Sequence, residues 1–121
     1  MNIDASMYPE GETVIQEGAM VMAQSHVGHD CIIGKEAIIS SGTILGGHTK
    51  IGDHANTGIN STTHQYTEVG KGSLIGAGCF AKGKLEEFTI YHTGQIATAR
   101  RPNQYQIDRL QGPKQIEGYN Y

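Results

Sequence analysis

The stretch SHVGHDCIIGKEAIISSGTILGGHTKIGDHANTGINSTTHQY, Ser25 to Tyr66, decides the fold. A β-branched or aliphatic residue recurs at every sixth position in it: Val27, Ile33, Ile39, Leu45, Ile51, Thr57 and Thr63. Outward from there the series runs back to Val21 and Ile15 and on to Val69, Ile75 and Ala81. That makes twelve positions without an insertion, nine of them Ile, Leu or Val. Four residues after each lead, from Ala19 through Cys79, stands a small residue (Ser25, Cys31, Ala37 and Thr43, for example). One residue after many leads stands glycine: Gly28, Gly34, Gly46, Gly52, Gly58, Gly70 and Gly76.

A strict period of six does not suit an α-helix, because six residues advance about 600° and smear any stripe. It suits a triangular coil. Each hexad makes one side, the lead points inward, the small residue fits near the corner, and glycine is expected to take the turn conformation. Three hexads make an 18-residue coil, so the twelve give four, and looser hexads led by Ile3 and Pro9 add a frayed part-coil. The expected fold is all-β, a parallel β-helix of about four to five coils over residues 1–88. The period fails after Leu85, so residues 83–101 read as an irregular last turn leaving the stack. Residues 89–121 then form an irregular extension. Within it, Asn103 as cap, Gln106 three residues on, and Ile107 with Leu110 on one face predict a short helix at about 104–111, stopped by Gly112-Pro113. The tail 114–121 is expected to be loose.

Composition agrees with thin β architecture. The 121 residues hold 17 glycines, two phenylalanines and no tryptophan, so the core must be built from small and β-branched side chains. A net charge of −3 gives no field for nucleic acid or an anionic membrane surface. No apolar run is long enough to span a bilayer. The N-terminus lacks the regions of a signal peptide, which predicts a cytoplasmic protein. Cys31 and Cys79 fall on different parts of the coil and are expected to stay unbridged thiols.

The repeat also gathers histidines. Folded in coils of 18, Gly28, Gly46 and His64 share a column, then His29, Gly47 and Gln65, then Asp30, His48 and Tyr66. His29, His48 and His64 thus lie on adjacent coils at one corner, with His26 on the approach. Imidazole accepts protons from hydroxyls and amines at neutral pH, which makes His29 a candidate general base and Asp30 its support. Exposed corners also suit polar residues for no chemical reason, so a non-catalytic trimeric scaffold is the alternative. A zinc site of the gamma-type carbonic anhydrase pattern would need a second histidine shortly after His64, and none follows. A zinc-dependent enzyme of the carbonic-anhydrase kind thus stands as the third reading, and no metal is assigned. Arg100 and Arg101 read as a solvated basic spot or a contact for a cofactor phosphate.

The hexads resemble those of the bacterial hexapeptide-repeat acyltransferases. More narrowly, S-H-V-G-H-D-C (25–31), I-L-G-G-H (44–48), I-G-D-H-A (51–55), T-H-Q-Y (63–66) and I-G-A-G (75–78) resemble the UDP-N-acetylglucosamine O-acyltransferases of lipid A synthesis, over roughly residues 12–112. The resemblance implies a left-handed coil and a homotrimer with sites between subunits. It implies an acyl group moved from acyl carrier protein or coenzyme A to a hydroxyl or amine of a sugar or nucleotide-sugar, with no permanently bound cofactor. His29 would be the base, supported by Asp30. His26 would contact the acceptor and His48 would sit near the thioester. His64 and Gln65 would line the nucleotide or donor groove, Ala77 the acyl groove, and Arg109 would meet a phosphate. The family's enzymes carry further N-terminal coils and a longer C-terminal helical domain. The acceptor pocket is thus expected to be less complete than the catalytic residues.

Overall fold

The computed structural model describes residues 2–3, 11–92 and 97–111. They form a left-handed parallel β-helix of about four coils with one short C-terminal helix. Each hexad contributes a two-residue strand that ends on its lead, and the strands stack into three faces. The first face holds Asn2–Ile3, His26–Val27, Ile44–Leu45, Thr62–Thr63 and Phe80–Ala81. Val14–Ile15, Ile32–Ile33, Lys50–Ile51, Glu68–Val69 and Lys84–Leu85 make the second. The third runs through Met20–Val21, Ile38–Ile39, Asn56–Thr57, Leu74–Ile75, Thr89–His92 and Thr98–Pro102. Parallel pairing of Val27 with Leu45, and of Leu45 with Thr63, reproduces the expected 18-residue register.

Inward leads and small corner residues close the core. Val27, Ile33, Ile39, Leu45 and Ile75 are fully buried, and so are Cys31, Ala37, Thr43, Thr49, Ala55, Ser61 and Thr67. Buried hydroxyls must find partners. Thr43 bonds Thr57 at 3.1 Å, Thr49 bonds Thr63 at 2.9 Å, and Thr67 donates to the His64 carbonyl at 2.7 Å. Threonine can therefore replace an aliphatic lead inside the stack. Cys31 and Cys79 are buried free thiols.

Three expectations change. The glycines one residue after the leads are not the turn residues. Left-handed backbone recurs two residues later, at Gly18, Gln24, Asp30, Glu36, Gly42, His48, His54, Asn60, Tyr66, Gly72 and Gly78. Glycine follows the leads because the neighbouring coil is too close for a side chain. A Cβ on Gly28 would lie 2.6 Å from the Leu45 carbonyl oxygen, and one on Gly46 2.8 Å from the Gln65 nitrogen.

The second change is at the end of the stack. Residues 83–101 do not leave it as an irregular turn. Leu85 pairs with Val69 and Tyr91 with Ile75, sixteen residues apart instead of eighteen, so the coil continues after losing two residues between Ala81 and Leu85. Pairing thus runs past residue 88, through Thr89–His92, and Thr98–Pro102 then folds back antiparallel and covers the exposed edge.

The third concerns the start. Ile3 stands in register with Val27, 24 residues on, where the 18-residue period would set it against Val21. Pro9, the other lead expected there, lies outside the described residues.

The helix α1 occupies Gln104–Gln111, as predicted. Asn103 caps it by accepting from the Gln106 N–H at 3.4 Å, and ties it down by donating Nδ2 to the Gly72 carbonyl at 2.9 Å. The stop at Gly112-Pro113 and the tail 114–121 lie outside the described residues.

Candidate functional site

At the corner between the first and second faces the strands end and the backbone turns left-handed, at Asp30 (φ 59°), His48 (φ 59°) and Tyr66 (φ 61°). In an extended strand, adjacent side chains point apart. The left-handed turn at Asp30 undoes that alternation and brings its carboxylate back to His29, where Oδ2 lies 3.0 Å from Nδ1. The same oxygen is 3.9 Å from His48 Nε2 on the next coil. Asp30 is nearly inaccessible, with 6% of its side chain exposed, while His29 and His48 keep 24% each. Its backbone N–H donates to Thr13 Oγ1 at 2.9 Å, and the His48 N–H donates to the His29 carbonyl at 2.9 Å. The two coils are therefore tied together at the site. The His29 and His48 rings meet edge to face at 5.1 Å, and Tyr66 stacks on His48 at 4.5 Å, 9° from parallel.

Gly47 is a residue the sequence reading missed. A Cβ on it would meet the His29 ring first, 2.6 Å from Nε2 and 2.8 Å from Cε1. The absence of a side chain there keeps space open beside the ring nitrogen that Asp30 does not hold. A signal for it exists in the sequence. From Ile15 to Ala81, every other glycine stands either one or three residues after a lead. Gly47 alone stands two after.

The other predicted residues are more dispersed. His26 lies on the first face, paired in register with Ile44. His64 is exposed and does not join the cluster. Its ring faces Phe80 at 6.0 Å, and Nδ1 lies 3.2 Å from the Gln65 carbonyl. It stands one residue earlier in the coil than His29 and two earlier than His48, and that offset turns it to the next coil. Gln65 is exposed beside it. Ala77 is exposed at a different corner, between the third and first faces. Arg109 is exposed on α1, Nη1 donating to Gln106 Oε1 at 3.2 Å. Its helix is anchored at Gly72, at the remaining corner. Arg101 lines an open groove of about 470 Å³ with Phe88, Pro102 and Ile107; the Arg100 side chain lies outside the described residues. One chain thus joins His29, Asp30 and His48, and spreads Ala77 and Arg109 over the other two corners.

Comparison with known proteins accounts for the repeat. Residues 12–47 match the bacterial transferase hexapeptide (six repeats), and residues 48–80 match the hexapeptide repeat of succinyl-transferase. The chain belongs to the bacterial hexapeptide-repeat family. Among solved structures, this hexapeptide-repeat chain is similar to Arabidopsis UDP-N-acetylglucosamine acyltransferase, with 28% identity and a TM-score of 0.81 over 89% of this chain and 40% of that one. It is similar to LpxA from Acinetobacter baumannii at 26% identity and a TM-score of 0.84, over 93% and 43% of the two chains. The acetyltransferase domain of PglB from Neisseria gonorrhoeae is 30% identical, with a TM-score of 0.70 over 73% and 42%. The hexapeptide-repeat chain spans about two fifths of the length of these structures. A comparison with curated proteins gives no match. No helix among the described residues is long and apolar enough to cross a membrane.

Proposed function

We propose that this chain transfers an acyl group from a thioester to a hydroxyl or amine of a sugar or nucleotide-sugar, with His29 as general base. The observation that carries the reading is the His29–Asp30 pair. A buried carboxylate 3.0 Å from Nδ1 holds the imidazole with its proton on that nitrogen. Nε2 then keeps its lone pair, on the side that Gly47 leaves open. From there it takes the acceptor's proton as the oxygen or nitrogen attacks the thioester carbonyl. The imidazolium so formed is stabilised by Asp30, and the proton passes to the departing thiolate. His48, stacked on Tyr66 and facing the same carboxylate, sits where the thioester would lie.

Similar structures support the class of donor. The PglB acetyltransferase domain has been solved with acetyl coenzyme A. For this chain the donor is an acyl-coenzyme A or an acyl group on acyl carrier protein. His26 contacts the acceptor, His64 and Gln65 line the donor or nucleotide groove, Ala77 faces the acyl chain, and Arg109 meets a phosphate. The dispersal over three corners supports a homotrimer. The hydrophobic prism separates Ala77 and Arg109 from His29 within a chain, so these residues act together only when neighbouring chains bring different corners to one cleft. A cytoplasmic location fits both proposed donors.

The test begins with a thermal-shift screen of acyl-coenzyme A, acyl carrier protein and UDP-sugars, since a ligand that binds the native state raises its apparent stability. His29→Ala is then assayed on the donor–acceptor pair that is turned over. Loss of a general base lowers the rate by about 10²–10⁴-fold, with the oligomer unchanged. Full activity of that variant would end the proposed role. The other reading is a trimeric binding scaffold, since polar side chains also suit exposed corners of the coil. That reading gains if ligands bind and no pair is turned over.

A further inference from the structure

We propose that the same corner is a site for a divalent transition-metal ion of the zinc class, held by His29 Nδ1, Asp30 Oδ2 and His48 Nε2. One ligand atom of each residue lies within 4.8 Å of the other two, and Asp30 Oδ2 is 3.0 Å from His29 Nδ1 and 3.9 Å from His48 Nε2. Ligands of a tetrahedral ion bound at 2.0–2.1 Å stand about 3.3–3.5 Å apart. One pair must open slightly and the others close, which small rotations of the two imidazoles accomplish. Two histidines and one carboxylate are a donor set suited to zinc, copper and nickel, and unsuited to magnesium or calcium.

The site is held before any ion arrives. Asp30 and His48 stand at fixed left-handed corners of adjacent coils, joined by the His48 to His29 backbone bond. The carboxylate is buried, and each imidazole keeps about a quarter of its side chain exposed. His64, the residue around which a zinc reading of the sequence turned, takes no part.

The ion and the base are mutually exclusive. With His29 neutral, its proton sits on Nδ1 and is donated to Asp30. Binding of the ion to Nδ1 displaces that proton, and the neutral ring then carries it on Nε2. No proton is lost overall, but Nε2 becomes a donor and cannot accept from a substrate. A bound ion therefore switches the proposed base off. The binding stands on its own, whereas this inhibition rests on the acyl-transfer reading.

The experiment is calorimetric titration of zinc into the chelator-treated full chain, paired with the visible spectrum of the cobalt(II) form. One ion per chain is expected, with the intense cobalt bands of a four- or five-coordinate site. Asp30→Asn and His48→Asn should each weaken binding at least about tenfold, the lower end of what loss of even an outer partner costs. His54→Asn, at the equivalent corner of the next hexad, should bind as the parent does. Equal affinity in all variants, or cobalt spectra of the aquo ion in the unmodified protein, overturns the site, and the spectrum reads this without relying on any variant's folding. Zinc is then added to the thioester assay. Binding without inhibition overturns the proton switch and leaves the site standing. Absence of turnover before zinc is added counts against acyl transfer and leaves the binding result untouched.

Discussion

Substitution of Gly47 by alanine isolates one contact at the proposed base. The glycines one residue after the leads, from Gly28 to Gly70, face backbone, so a side chain on them disturbs the stack. At Gly47 the three atoms nearest to an added Cβ all belong to the His29 ring, at 2.6, 2.8 and 3.2 Å. Ordinary contact begins near 3.4 Å, so Nε2 must retreat by 3.4 − 2.6, or 0.8 Å. The ring cannot retreat that far and keep its 3.0 Å bond to Asp30, whose own position is fixed by its corner and by Thr13. A misplacement of about 1 Å at a reacting group costs about 10²-fold in rate. Gly47→Ala should thus lower kcat by about that factor and leave thermal unfolding close to the parent's.

The assay is thiol release from the donor, followed in Gly47→Ala, His29→Ala and the double variant. Both changes act on the same imidazole, so the double variant should be no slower than His29→Ala alone; groups that share one interaction are not additive. Full turnover in Gly47→Ala would refute the argument that Nε2 needs the space beside residue 47. Additive losses would show that Gly47 acts through something other than His29.

Gly46→Ala, one residue away, should do the opposite. Its Cβ would lie 2.8–2.9 Å from backbone atoms of Thr63, His64 and Gln65, which cannot rotate aside. Overpacking of this kind costs about 1–3 kcal/mol, read as a fall in melting temperature larger than that of Gly47→Ala. Leu45→Ala empties a fully buried position in the middle coil and should cost about 2–5 kcal/mol in chemical denaturation. Asn103→Ala removes both the cap and the tie to Gly72. A lost cap costs about 0.5–2 kcal/mol, so amide exchange in 104–111 should quicken while the core strands keep their protection.

What the sequence revealed follows from where the period holds. Twelve leads in strict register fix strands, faces and columns, because each coil repeats the same contacts. Asn103 and its helix were legible from local capping chemistry. The shortened coil was not. Ile90 and Tyr91 drop out of phase once two residues vanish between Ala81 and Leu85, and the pairing that restores register is a contact between coils. The antiparallel return of Thr98–Pro102 is likewise set by the edge it covers. At the corner, column arithmetic brought His29 near His48, but it treats each residue as a point. It could not tell that a left-handed Asp30 turns back to His29, nor that an offset of one residue sends His64 to Phe80 instead.

The glycines show how a repeat separates architecture from chemistry. One phase is glycine because the next coil presses on it, and another accepts glycine because the corner is left-handed. Yet the second phase is filled as readily by Asp30, His48 and Tyr66, in spite of the strain that positive φ imposes on such residues. Corners elsewhere carry Gln24, Glu36 and Asn60 in the same conformation, so strain alone does not mark the site. What marks it is a residue that neither coil contact nor backbone geometry requires. The three atoms nearest to a Cβ on Gly47 all belong to the His29 ring. In a fold where each position has a periodic reason, a position without one identifies the side chain it has been kept small for.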